Sequence, residues 1–174
     1  IPRPDLSLMT GSPNACTQCH TGQSNSWALD SLRDWGIKFD SPRRHPAMAL
    51  RGAHAQDIRS RPSLKKIIDD TSATPILRAS ALVQYGNLAP PDLSQTAGML
   101  LASKNTVLRS SAGRATAPLP PTQRYLMLRT LINDPVQGVR MAVAEQLAST
   151  PLEELRQQDL PPLLALFSEY ERVL

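Results

Sequence analysis

The sequence predicts an all-α fold in which a short N-terminal section, residues 1–60, precedes an α-solenoid of helical repeats, residues 61–174. Three observations lead to this prediction. No segment shows the sustained apolar–polar alternation of a β-strand. Sixteen prolines against eight glycines indicate many short elements with frequent breaks. From Pro75 onward the sequence repeats itself at a fixed spacing, which is typical of repeat architectures.

Prolines and glycines divide the N-terminal section. Residues 1–13 are expected to be irregular, because Pro2, Pro4, Gly11 and Pro13 leave no room for a helix. Helices are expected over 24–36, 46–55 and 62–70. The first of them has Ser24 or Ser26 as its N-cap and carries its apolar residues on one face: Trp27, Leu29, Leu32 and Trp35.

The repeats are three gap-free copies of one helical pattern, 75–86, 106–117 and 137–148. Each copy has an apolar residue just before an arginine and small residues after it. The arginines, separated by 31 residues each time, are Arg78, Arg109 and Arg140. Second helices are expected between the copies, and a terminal capping helix over 160–174 with an apolar stripe at Leu163, Leu164, Phe167 and Tyr170. Two helices per unit predict an α-solenoid.

The net charge is +4, and its distribution is uneven. Nine basic and three acidic residues lie between Arg33 and Lys66. Such a stretch is compatible with nucleic acid, with a solvated surface, or with the carboxylates of an anionic cofactor. Nucleic acid is the least favoured of these, because no aromatic residues interleave with the basic ones. No apolar run approaches the roughly 18 residues that cross a bilayer, so no transmembrane segment is expected.

The two cysteines of the chain both lie in the segment "NACTQCH", residues 14–20. Cys16 and Cys19 are separated by two residues, and His20 follows directly. Thiols at this spacing reach two vinyl groups on one porphyrin edge, and the adjacent imidazole reaches the iron. The pattern therefore predicts one covalent haem c, with His20 as an iron ligand.

Other interpretations of this segment remain open. A zinc site would need two more ligands, drawn from His20, His45 and His54. A redox dithiol would follow a strand, and no such strand is found. A disulfide between residues three apart would be strained and would leave the histidine unexplained.

The haem prediction extends to neighbouring residues and to location. Covalent attachment takes place outside the cytoplasm, so a periplasmic, cell-surface or extracellular protein is expected. Arg43 and Arg44 are candidates to neutralise the haem propionates. His45 is the main candidate for the sixth iron ligand, with His54, Met9 and Met48 as alternatives, beside an open site or a ligand from another chain.

The chain resembles the C-terminal portion of a family of bacterial multihaem c-type cytochromes with helical-repeat tails. The matching stretches are "IPRPDLSL", "SPNACTQCH", "WALDSLRDWG", "RRHPAMAL" and the arginine-centred repeats, so the resemblance covers nearly the whole chain. It implies HEAT-like repeats and a loop histidine, here His45. Members of that family typically carry further CxxCH motifs, and this sequence has one.

Together these observations predict an electron-transfer cytochrome with one haem, whose partners are other haem proteins or further copies of the chain in an oligomer or filament. Two alternatives stay open. One is a five-coordinate haem enzyme or sensor that acts on a peroxide or a nitrogen oxide. The other is a zinc-stabilised helical-repeat interaction module.

Overall fold

The computed structural model describes residues 2–173, without the side chain of residue 152. Ile1 and Leu174, which the sequence predictions include, lie outside the described residues. Helix makes up 68% of the chain, and no strand occurs within the described part, which confirms the all-α prediction. The α-helices are α1 (Pro4–Thr10), α2 (Ala15–Cys19), α3 (Asn25–Asp34), α4 (Pro46–His54), α5 (Arg61–Asp69), α6 (Pro75–Asn87), α7 (Leu93–Leu101), α8 (Thr106–Ala115), α9 (Pro121–Leu128), α10 (Gln137–Leu147) and α11 (Leu160–Glu171).

The prediction that residues 1–13 are irregular is wrong, because α1 occupies part of this range. Pro4 stands at the start of the helix, where its fixed φ fits and its missing N–H is not needed. Gly11 follows the last residue in the left-handed conformation, with φ of 73°, and its N–H donates to the carbonyl of Ser7. The proline and the glycine that seemed to exclude a helix are its two ends.

Helix α3 has Ser24 as its N-cap, whose Oγ accepts the N–H of Trp27 at 3.1 Å. The predicted apolar face is only partly correct. Ala28, Leu29 and Leu32 are buried, whereas the side chain of Trp35 is 76% exposed. Trp35 lies beyond the last helical residue as the C-cap, so the helical periodicity no longer directs it inward.

The three copies of the repeat form α6, α8 and α10, and α8 packs against both of the others. Small residues allow a close approach between α6 and α8. A Cβ added at Gly86 would lie 2.6 Å from the carbonyl oxygen of Ala115. The small face of the repeat is therefore a backbone-to-backbone contact, and this contact requires glycine at position 86.

The repeated arginines join consecutive units through charge-assisted hydrogen bonds. Arg109 donates to both carboxylate oxygens of Asp134, at 2.6 and 3.1 Å, and to the carbonyl of Ser103 at 2.7 Å. Arg140 makes the equivalent set with the carboxylate of Glu169 and the carbonyl of Asp134. A bidentate arginine–carboxylate pair fixes both distance and orientation. These arginines are structural.

The first arginine of the series, Arg78, bonds to a backbone carbonyl and not to a carboxylate among the described residues. Its Nε donates to the carbonyl of Ile68 at 2.8 Å.

The capping helix α11 buries Leu163 and Leu166, whereas Leu164 is 58% exposed. Leu164 is therefore wrongly placed in the predicted stripe. The buried positions follow the i, i+3 spacing of one helical face, which Leu164 does not share.

Replacing Gly86 by Ala tests the close approach of α6 and α8. The methyl group has no space against the backbone of Ala115, so Gly86→Ala should destabilise the fold by about 1–3 kcal/mol, as overpacking does. Gly138→Ala is the matched control, because a Cβ there meets no atom within 4 Å. Urea unfolding followed by circular dichroism measures both variants. An equal effect of the two substitutions would contradict the packing argument.

Replacing Arg109 by Ala tests the arginine–carboxylate connection. The Asp134 side chain is only 4% exposed, so the variant leaves a buried carboxylate without its partner and should lose about 2–4 kcal/mol of stability. Arg114→Ala removes an exposed pair with Glu145 and should cost less than about 1 kcal/mol. The free energies of unfolding at neutral pH give the comparison.

The same pair predicts a pH dependence. The hydrogen bond from Arg109 holds the pKa of Asp134 below its ordinary value. A carboxyl group whose pKa is lowered by folding stabilises the protein above its unfolded pKa, and this contribution is lost as the pH falls through the folded pKa. The stability difference between the wild type and Arg109→Ala should therefore shrink on acidification below about pH 4. A difference that stays constant down to pH 2 would argue against the ion pair.

Candidate functional site

The segment that carries both cysteines is a one-turn helix, α2. The Oδ1 of Asn14, the N-cap, accepts the N–H of Cys16 at 3.0 Å, and the Thr17 hydroxyl donates to the Asn14 carbonyl at 3.1 Å. His20 follows the last helical residue as the C-cap, and its N–H donates to the carbonyl of Cys16 at 2.9 Å. These bonds order five residues that would not form a stable helix alone.

The helical turn places the two thiols on one side, as residues three apart on a helix are neighbours. Cys16 is half-buried and Cys19 is exposed, and neither forms a disulfide. The His20 ring centroid lies 5.0 Å from a ring centroid of Trp27, with the ring planes tilted by 52°. Among the described residues, no side chain is hydrogen-bonded to the His20 ring nitrogens. The imidazole is thus positioned by packing and keeps both nitrogens available.

Both cysteines and His20 line one open cavity of about 320 Å³ between α2 and α3. The other residues of its lining are mostly apolar: Pro2, Ala15, Trp27, Ala28, Ser31, Leu32 and Trp35. Trp35 leaves a large apolar surface in water at the edge of this cavity. Two thiols, an unpaired imidazole and an apolar wall meet the needs of a flat apolar group bound covalently through sulfur and coordinated by histidine.

Asn14 contributes to this site and was not among the residues expected from the sequence. The residue is only 5% exposed, and its buried Nδ2 has no hydrogen-bond partner among the residues that the structure describes. It borders a second cavity, of about 300 Å³, that shares Pro2 and Ala15 with the first one. An asparagine two residues before the first cysteine is a recognisable N-cap signal in the sequence.

The structure does not bring His45 to the cavity that the cysteines line. His45 precedes α4 as its N-cap, and its Nδ1 accepts the N–H of Ala47 at 3.2 Å. A neutral imidazole that accepts at Nδ1 carries its proton on Nε2. Iron ligation by Nε2 would therefore require the proton to move to Nδ1, and His45 would then lose the cap hydrogen bond that it accepts from Ala47. Apart from His20, no histidine and no methionine lines the cysteine cavity within the described part of the chain.

Arg43 and Arg44 also lie outside the cysteine cavity. They line a different cavity together with His45, between the start of α4 and α5. The ligands of the alternative zinc site are not assembled either. Within residues 2–173, no group of three or more His, Cys, Asp and Glu side chains is arranged to hold a metal ion.

His45→Ala tests the role that the structure gives this residue. Loss of the side-chain acceptor should cost about 1 kcal/mol of stability, as for other N-cap residues. His45→Asn should retain most of that stability, because asparagine accepts the same N–H. His54→Ala, which changes an exposed residue of the same helix, is the control. Urea unfolding measures the three variants, and equal losses for Ala and Asn would contradict the cap.

A comparison of the chain with protein-family models, with curated proteins and with solved structures finds no match. Within the described residues, no helix combines the length and the apolar character needed to cross a lipid bilayer. The function is therefore inferred from the geometry around Cys16, Cys19 and His20.

Proposed function

We propose that this chain is an extracytoplasmic c-type cytochrome that carries one covalent haem and transfers electrons. Cys16 and Cys19 form the thioethers, and His20 binds the iron. The observation that carries the proposal is the convergence of both thiols and an unpaired imidazole on one apolar cavity. The spacing of the cysteines and the histidine in the sequence does not by itself imply the apolar side chains that line this cavity.

Formation of the thioethers needs no reactant other than the two thiols and the two vinyl groups of the haem. The thiol of each cysteine adds across one vinyl group, so that sulfur bonds to one carbon and hydrogen to the other. When bound, the haem supplies a one-electron iron couple. Trp27 orients the His20 ring, and Ala28, Leu32 and Trp35 supply apolar contacts that exclude water from one side of the site. Exclusion of water is one of the means by which a protein sets the potential of an iron centre.

The sixth iron position distinguishes the leading proposal from an alternative. In the leading proposal His45 would leave its cap and hold the iron together with His20, which would suit an electron carrier. The absence of a second histidine or methionine from the cysteine cavity, within the described residues, favours the alternative of an open position. An open position would suit a haem enzyme or sensor for a peroxide or nitrogen oxide.

The helical part, 61–174, is proposed to be a HEAT-like α-solenoid that serves as a docking or assembly scaffold. The fixed 31-residue spacing supports this, as does the packing of α8 against both α6 and α10. The repeated arginine–carboxylate connections add a second regular feature. Because a chain with one haem needs a neighbour to pass its electron to, the proposed partners are other haem proteins or further copies of this chain.

Covalent haem attachment tests the central proposal. The chain is expressed in the periplasm of cells that have a haem-attachment apparatus, and attachment is measured by the mass of the denatured protein and the pyridine haemochrome spectrum. The wild type should carry one haem, and Cys16→Ser/Cys19→Ser should carry none. Gln18→Ala is the matched control, because it changes the same turn and keeps both thiols.

An unrelated c-type cytochrome in the same cells reports whether the apparatus works. If that cytochrome gains haem and this chain does not, the proposal is wrong. Covalent haem on the double cysteine variant would also contradict it.

Carbon monoxide binding distinguishes the two proposals for the sixth position. If His45 is the ligand, His45→Asn should open this position and allow the gas to bind. If the position is already open, the substitution should leave gas binding unchanged.

A further inference from the structure

A concave surface rich in basic side chains lies apart from the cysteine cavity. It is an open cavity of about 590 Å³ between α5 and the turn that leads into α4. Its lining includes four basic side chains, those of Arg43, Arg44, Arg59 and Lys66. We call this surface the basic groove.

The basic groove holds a positive charge that its own acidic residues do not balance. Asp57 and Asp70 are the acidic residues of the lining. Asp57 pairs with Arg59 at 2.8 Å, and the Asp70 carboxylate accepts the hydroxyl and the N–H of Ser72. Arg43, Arg44 and Lys66 are exposed and form no ion pair within the described residues.

The positive surface continues beyond the groove. Arg44 and His45 also border a neighbouring cavity of about 410 Å³, to which Arg3 and the acidic Asp40 contribute. Arg3 is already held by Asp5, to which it donates two hydrogen bonds. Arg3 therefore adds no unpaired charge, and the groove's own cations without an ion pair among the described residues are Arg43, Arg44 and Lys66.

Apolar side chains lie among these charges. Pro46, Met48 and Ile67 are half-buried and face the groove beside the basic residues. Methionine adapts its shape to different apolar partners. A ligand that fits this surface carries carboxylates for the cations and apolar groups for Met48 and Ile67.

We infer that the basic groove is a docking site for an acidic segment of a partner protein, one in which carboxylates alternate with aliphatic side chains. Arginine pairs with carboxylates in a bidentate geometry, and unlike charges also accelerate the encounter of two proteins. This inference does not rest on the proposed haem. It also gives Arg43 and Arg44 a role other than the propionate contact expected from the sequence.

Nucleic acid fits the groove less well. Proteins that hold single strands stack bases on aromatic side chains, and among the described residues no Trp, Tyr or Phe lines the groove.

Binding of a designed peptide tests the inference on the full chain as purified. The probe is a short synthetic peptide in which glutamate alternates with leucine, and its control has glutamine in place of glutamate. Fluorescence anisotropy should show binding of the acidic peptide only, and binding should weaken as salt is added. Arg43→Gln/Arg44→Gln should bind roughly tenfold more weakly, the loss expected for two exposed ion pairs.

Lys38→Gln/Lys104→Gln is the matched control, because it removes the same charge from exposed residues outside the groove and should bind like the wild type. All four side chains are exposed, and circular dichroism checks that helix content is unchanged. No binding at low salt, or an equal loss in both double variants, would overturn the inference. Tighter binding to single-stranded polynucleotide or to anionic phospholipid vesicles would overturn it as well. The outcome is independent of haem content, so it cannot be confused with a failure of the haem proposal.

Discussion

The helical part of this protein depends on how one buried carboxylate is held. Asp134 is 6% exposed, and its side chain accepts hydrogen bonds from Arg109 of α8 and from the N–H of Val136. Its backbone carbonyl accepts from Arg140 of α10, which in turn holds Glu169 of α11. A buried carboxylate is costly unless it is paired and fully hydrogen-bonded. Because Asp134 serves both arginines, α8, α10 and α11 are joined in one network. The close contact at Gly86 extends the same packing to α6.

The all-α fold and the position of the repeated helices are predictable from the sequence, because helices and a fixed repeat are local patterns. The arginine spacing indicated equivalent positions, but it could not reveal their partners. Asp134 and Glu169 stand 25 and 29 residues after their arginines, so their pairing is not periodic in the sequence. Helix α1 is not predictable from the same patterns, because proline and glycine usually interrupt a helix, whereas here Pro4 begins a helix of seven residues and Gly11 caps it. Trp35 was misplaced because periodicity does not apply beyond the helix end.

The site shows a similar division between local and distant information. Cys16, Cys19 and His20 converge because one helical turn brings them together, and that turn is visible in the sequence. Residues from a more distant part of the chain cannot be assigned to the site from local spacing. His45, Arg43 and Arg44 lie beside one another on a different surface, between α4 and α5. The chain thus separates an apolar cavity with two thiols from a basic surface, and the two differ in the chemistry of what they can bind.

The exposure of the thiols bears on when the proposed haem could be attached. Cys19 and His20 are exposed and Cys16 is half-buried, so none of the three belongs to the hydrophobic core. Helix α2 is held in place by the Asn14 cap and by packing on α3, without help from either sulfur. A group added at these thiols would therefore meet a folded polypeptide with its attachment turn already formed. If the chain is the extracytoplasmic cytochrome proposed above, its two neighbouring thiols would be open to oxidation until the haem is attached, so attachment would compete with their oxidation.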